Sequence, residues 1–140
     1  MTNEQRFVLD VNVIVSAVLF AQSRPRQALD LAQDRGIVLM SDDVFLELSE
    51  VLLRPKFDRY STRSKRETFL ENFVETVHFI EVTEKINKCR DAKDDKYLEL
   101  AVAGDAKFII SGDNDLLVMN PFQEITILIV LEFLERQQNI

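Results

Sequence analysis

Two apolar runs in this sequence stop abruptly on carboxylates. Phe7-Val8-Leu9 ends on Asp10, and Ile109-Ile110-Ser111-Gly112 leads into Asp113, with Asp115 close behind. Such runs read as buried strands. In an open α/β sheet, ligands bind just beyond the carboxyl ends of the strands. An aspartate at such an end has turn formation as its only serious bland explanation, and chemistry explains it better. Glu47, on the border of a helical apolar stripe, and the Asp94-Asp95 pair, at a helix start, add two more acidic places. Acids at a helix start are also ordinary dipole partners. Asp42 and Asp43 are read that way and left out of the site. Carboxylates packed together are costly unless neutralised. Mg²⁺ or Mn²⁺, hard cations that prefer oxygen ligands, are the natural neutralisers. Such metals activate water and stabilise the leaving oxygen in phosphodiester cleavage.

The elements that must gather these acids follow from hydrophobic periodicity and capping signals. Residues 6–10 form a first strand, and the apolar stretch 13–20, behind Asn12 as cap, a buried helix. Ser23-Arg24-Pro25 opens a second helix that Gly36 stops. Residues 37–40 make the second strand, and Ser41 caps a helix ended by Pro55. Ser64-Lys65-Arg66-Glu67 has the capping-box pattern and opens a helix through Val77. Residues 78–82 read as a third strand. Asp94-Asp95 begin a helix that buries Tyr97, Leu98, Ala101 and Val102 and stops at Gly104. Strand 107–111, a helical turn at 115–118, strand 125–128 and helix 130–137 complete the chain. Strands alternating with helices imply a mostly parallel sheet covered on both faces, a three-layer α/β/α sandwich. Helices that follow parallel strands begin at the carboxyl edge, so all four acidic places converge there.

Composition bounds the reading. A chain of 140 residues, 46% hydrophobic and 29% charged, is expected to form one soluble domain spanning 1–140. The start, Met1-Thr2-Asn3-Glu4-Gln5, lacks the basic and apolar regions of a secretory signal. No apolar run reaches membrane-span length, so a cytoplasmic setting is expected. The single cysteine, Cys89, excludes an internal disulfide and a multi-cysteine zinc site, and both it and His78 read as structural. A net charge of −7 argues against a nucleic-acid partner, but bound metal inverts the local sign. Arg54, Lys56, Arg59, Arg63, Lys65 and Arg66 also stand against one acid, Asp58, with Phe57 and Tyr60 among them. A charge run is usually just a solvated face. As RNA contacts, Arg54, Lys56, Arg59 and Arg63 are the candidates.

Leu9-Asp10-Val11-Asn12, Glu47, Arg90-Asp91-Ala92-Lys93-Asp94-Asp95-Lys96-Tyr97-Leu98-Glu99-Leu100-Ala101 and Ser111-Gly112-Asp113-Asn114-Asp115-Leu116-Leu117 together resemble the ordered motifs of PIN domains. The resemblance is to the toxins of toxin–antitoxin pairs and spans nearly the whole chain. It implies a metal-dependent endoribonuclease with a roughly five-stranded parallel sheet, an RNA substrate, an antitoxin protein as partner, and a homodimer. It also implies an acidic quartet of Asp10, Glu47, Asp95 and Asp113. Asp10, Asp95 and Asp113 would hold Mg²⁺ or Mn²⁺, with Asp94 and Asp115 as auxiliaries and Asn12 steadying the site by hydrogen bonding. The third position stays open between Asp94 and Asp95, and spacing to Asp113 favours Asp95. Val11 stands where the family more often has Thr or Ser, which removes one polar contact. Two other functions fit parts of the pattern. A haloacid-dehalogenase-like phosphatase would use Asp10 as nucleophile, although its general acid would then fall on Asn12. A catalytically silent module would use the grouped acids to dock a basic partner.

Overall fold

The computed structural model describes residues 5–138. Residues 1–4, which carry most of the targeting-signal reading, lie outside the described residues. The strands are β1 (Gln5–Leu9), β2 (Gly36–Met40), β3 (His78–Phe79), β4 (Phe108–Ile110) and β5 (Thr126–Leu128). They form one five-stranded sheet in the order β3-β2-β1-β4-β5, and every pairing is parallel. The helices are α1 (Val11–Leu19), α2 (Arg24–Arg35), α3 (Asp42–Leu52), α4 (Arg63–Thr76), α5 (Asp95–Ala103), α6 (Asn114–Leu117) and α7 (Val130–Gln138). In β1 the successive residues Phe7, Val8 and Leu9 are all buried. Side chains alternate between faces along a strand, so both faces of the sheet are covered, as the three-layer reading requires.

The chain lays β2 and then β3 on one side of β1, and crosses over to lay β4 and β5 on the other. The order therefore reverses between β1 and β4, and a crevice opens beyond their carboxyl ends. The Asp10 N–H donates to the Ile110 carbonyl at 2.9 Å and ties those two ends together. At the other edge, Gly36 faces Gln5 so closely that a Cβ would stand 2.0 Å from the Gln5 carbonyl oxygen. Only glycine lets β2 begin there.

Several boundaries differ from the sequence reading for local reasons. Helix α1 starts at Val11, because Asp10 rather than Asn12 is its cap. Helix α4 is capped by Thr62, whose hydroxyl accepts the Lys65 N–H at 3.2 Å, so Ser64 lies inside the helix and its capping box does not form. Helix α6 is capped by Asp113 and begins one residue before Asp115. Strand β3 shrinks to two residues at the sheet edge, since only Ile80 continues the contact, donating to Met40 at 2.8 Å. Residues 83–91 then run without regular structure and are latched to α5. Glu99 accepts the Ile86 N–H at 3.0 Å, and Asp95 accepts those of Lys88 and Cys89 at 3.1 and 2.8 Å. Asp95 and Glu99 are four residues apart and share a helix face.

Candidate functional site

Asp10 leaves β1 and Asp113 leaves β4, the neighbouring strands at the reversal of the sheet order. Asp10 is 4% exposed. Its Oδ1 accepts the Asn12 N–H at 3.0 Å, and its Oδ2 accepts the Ser111 hydroxyl at 2.6 Å. The same hydroxyl accepts the Asp113 N–H at 3.0 Å. Ser111 thus fixes both acids at once and supplies a polar contact of the kind expected to be missing at Val11. Burial pushes the Asp10 carboxyl above its ordinary range. The bonds from Ser111 and Asn12 pull it down, and the charges of Asp113 and Glu47 push it up again. A buried carboxylate facing two others is short of positive charge.

Asp94 and Asp95 part company here. Asp94 sits at the N-cap position of α5, yet its side chain makes no capping hydrogen bond. Its carboxyl meets that of Asp113 instead. Burial first, then the charge of Asp113 and the contact with it, then Asp91 and Asp10, push Asp94 up to about 7. Asp94 Oδ2 is fully enclosed and has no hydrogen-bond partner. Asp95 points into the 83–91 segment. Burial alone would raise it, but the N–H groups of Cys89 and Lys88 and the Cys89 thiol hold it below its ordinary range. Of the two acids between which the third position stayed open, Asp94 is the one that interacts with Asp113. Asp95 is directed to the loop instead, its Oδ1 accepting both the Lys88 and Cys89 N–H groups. Cys89 is buried against that latch, and desolvation and the neighbouring acids push its thiol up to about 12.

Glu47 reaches the same crevice from α3. It accepts the Tyr97 hydroxyl at 2.8 Å and pairs with Lys96 Nζ at 3.0 Å. The Tyr97 oxygen in turn accepts the Val11 N–H at 3.1 Å, so one phenol joins α5, α3 and the start of α1. Burial and the charges of Asp10 and Glu47 raise the Tyr97 pKa, which keeps it a proton donor. Ser111, Tyr97 and Lys96 were given no site role in the sequence reading. All three lie within the PIN-like motifs, where apolar periodicity reads Ser111 as strand and Tyr97 as helix core.

The remaining candidates divide. Asn12 contributes its main-chain N–H to Asp10, while the residue as a whole is exposed. Asp115 gives its N–H to Asp113 Oδ1 at 2.9 Å and pairs through its carboxylate with Arg90 at 3.0 Å. In the basic segment, Arg54, Lys56, Arg59 and Arg63 are exposed. Lys56 lies over the Phe57 ring and Arg59 over Tyr60, which packs edge-on against Phe20. Arg66 is the exception and is fully buried. Its guanidinium donates to the carbonyls of Ser61, Leu52 and Arg54 and pairs with Asp58. It shapes the loop and does not face a ligand.

The donor set facing the crevice is all carboxylate, with one enclosed oxygen lacking a donor and three groups crowding one another's charge. That set fits a hard divalent cation bound through oxygen.

Comparisons with known proteins bear on this arrangement. A family model described as PIN domain matches residues 6–115. The chain is 32% identical over 114 residues to the uncharacterized protein MJ1680 of Methanocaldococcus jannaschii, covering 80% of this chain and 73% of that one. A solved chain from the crystal structure of VapBC2 from Rickettsia felis, bound to a DNA fragment from their promoter, superposes with a TM-score of 0.54. The match covers 89% of this chain and 97% of that one at 16% identity, a likeness of fold.

Proposed function

The chain belongs to the PIN-domain family, and from that premise we propose that it is a divalent-metal-dependent endoribonuclease, the toxin of a toxin–antitoxin pair. One observation carries the reading. Asp10, Asp94 and Asp113 crowd one another's charge at the sheet reversal, and one Asp94 oxygen there is enclosed and without a hydrogen-bond partner. These three would hold Mg²⁺ or Mn²⁺. When bound, such a cation stabilises charge on the phosphoryl oxygens and lowers the pKa of water at the site.

The chain's own residues do the positioning. Ser111 and the Asn12 N–H fix the Asp10 carboxylate, and Tyr97 and Lys96 fix Glu47 at the crevice wall. Glu47 is the acid we assign to orienting the attacking water and accepting its proton. The exposed cations Arg54, Lys56, Arg59 and Arg63, with Tyr60 and Phe20, offer phosphate and base contacts for RNA. An antitoxin, a second copy of the chain and a cytoplasmic setting belong to the same proposal. The solved relative is a VapBC2 complex, which supports a protein partner here.

The test is cleavage of single-stranded RNA by the purified chain in Mn²⁺. Losing an acid that holds the metal removes several kcal/mol of transition-state stabilisation, so Asp10→Asn is expected to lower the rate about 100-fold or more. Thermal unfolding should still show a folded protein. Cleavage undiminished in Asp10→Asn or in EDTA, or no cleavage by the unaltered chain, overturns the reading.

A further inference from the structure

Beside the acidic crevice lies a hollow of a different character. Its volume is about 380 Å³, within the range of sites that hold small ligands, about 300–1,000 Å³. The floor is apolar, built from Val13 of α1 and from Ile129 and Leu131 around the start of α7. Ile129 and Leu131 are 37% and 40% exposed, an apolar surface that packing within the chain leaves open. Asn12 and Gly112 also line the hollow. One stands two residues after Asp10 and the other directly before Asp113, so the hollow adjoins the crevice.

Charge sets this hollow apart. Four other hollows on the surface each carry at least one carboxylate, Asp42, Asp105, Asp95 and Asp30 among them. Here, on a chain of net charge −7, no acid lines the wall, and the one charged residue is Arg24. Arg24 is exposed and enters no ion pair among the described residues. The Asn12 side chain makes no hydrogen bond among the described residues either, since only its main-chain N–H is engaged, by Asp10. Its amide offers a donor and an acceptor side by side, which a nucleobase edge can match. The half-buried Ser16 adds a hydroxyl to the wall. An apolar protein segment would cover the floor and leave the Arg24 charge and the Asn12 amide unmatched. A nucleotide, with a flat base and an anionic phosphate, matches all three.

We propose that this hollow is a base-binding subsite for the RNA nucleotide next to the scissile phosphate. Val13, Ile129 and Leu131 carry the base, the Asn12 amide reads its edge, and Arg24 holds the adjoining phosphate. The chain thereby selects RNA by the identity of one base as well as by backbone charge. The position of the scissile phosphate rests on the nuclease reading; the base site itself does not need cleavage.

Binding of a short single-stranded RNA to the full chain in Ca²⁺, read by fluorescence anisotropy, is compared with binding of an abasic chain of the same length. The expected result is tighter binding of the base-bearing RNA, by about tenfold or more. Leu131→Gln and Asn12→Ala, both at exposed positions, each lower affinity for the base-bearing RNA about tenfold and leave abasic binding unchanged. Equal losses on both RNAs, or no loss, overturn the subsite; if Mn²⁺-dependent cleavage persists, the nuclease reading stands without it. A base preference that depends on Leu131, in a chain that does not cleave RNA, supports the subsite and overturns the nuclease reading. A change of oligomeric state in Leu131→Gln with RNA binding intact assigns the hollow to a second copy and overturns the proposal.

Discussion

Asp94 and Asp95 are adjacent and both buried, yet the protein uses them in opposite ways. The enclosed Asp94 carboxyl, facing Asp113, is pushed up to about 7, whereas Asp95 is held low by the N–H groups of the 83–91 segment. The sign of the pH dependence follows. With Asp94 raised, the folded metal-free chain keeps a proton that the unfolded chain gives up near pH 4, so stability falls as pH rises from about 4 to about 7. The expected slope is about 1 kcal/mol per pH unit. Urea unfolding in EDTA at pH 5 and pH 7.5 measures it, and Asp94→Asn should flatten it. The same variant should lose Mn²⁺-dependent cleavage. Asp95→Ala should instead cost about 2 kcal/mol of stability and leave cleavage in place. The reverse pattern would return the third acidic position to Asp95. Nothing in the order of residues distinguishes the two neighbours. The choice depends on which carboxylate the 83–91 segment claims, and that segment has no periodicity to read.

At the scale of elements, the signals that were legible are those with one job. Ser23 and Ser41 cap α2 and α3 as their side-chain chemistry demands. Asp10 and Asp113 cap α1 and α6 as well as facing the crevice, and this double use hid the true start of both helices. Arg66 shows the same limit in the basic segment. Among six neighbouring cations it alone is buried, because three carbonyls and Asp58 converge on it only once the loop after α3 has closed. Arg66→Met removes that donor set and leaves the loop carbonyls without partners. The expected cost is about 1–3 kcal/mol, read from urea unfolding. A loss below about 1 kcal/mol would mean the loop is held by something else.

For the whole molecule, the parallel sheet and its helical covering were readable because apolar strands and amphipathic helices alternate without a break. The convergence of acids at one edge followed from the same alternation. The reversal between β1 and β4, which makes that edge a crevice, is set by a crossover from β3 to β4. No local stretch of sequence specifies that crossover. Tyr97 and Ser111 were invisible as site residues for a related reason. Each joins groups far apart in sequence, Tyr97 with Glu47 and Val11, and Ser111 with Asp10. Described helices include none long and apolar enough to cross a membrane.

The most direct measurement is anomalous diffraction from a crystal soaked in Mn²⁺. A peak within about 2.5 Å of carboxylate oxygens of Asp10, Asp94 and Asp113, with Asp95 still turned to the Cys89 N–H, is the expected result. An absence of manganese at those three side chains, or a peak held by Asp95 in place of Asp94, would contradict it.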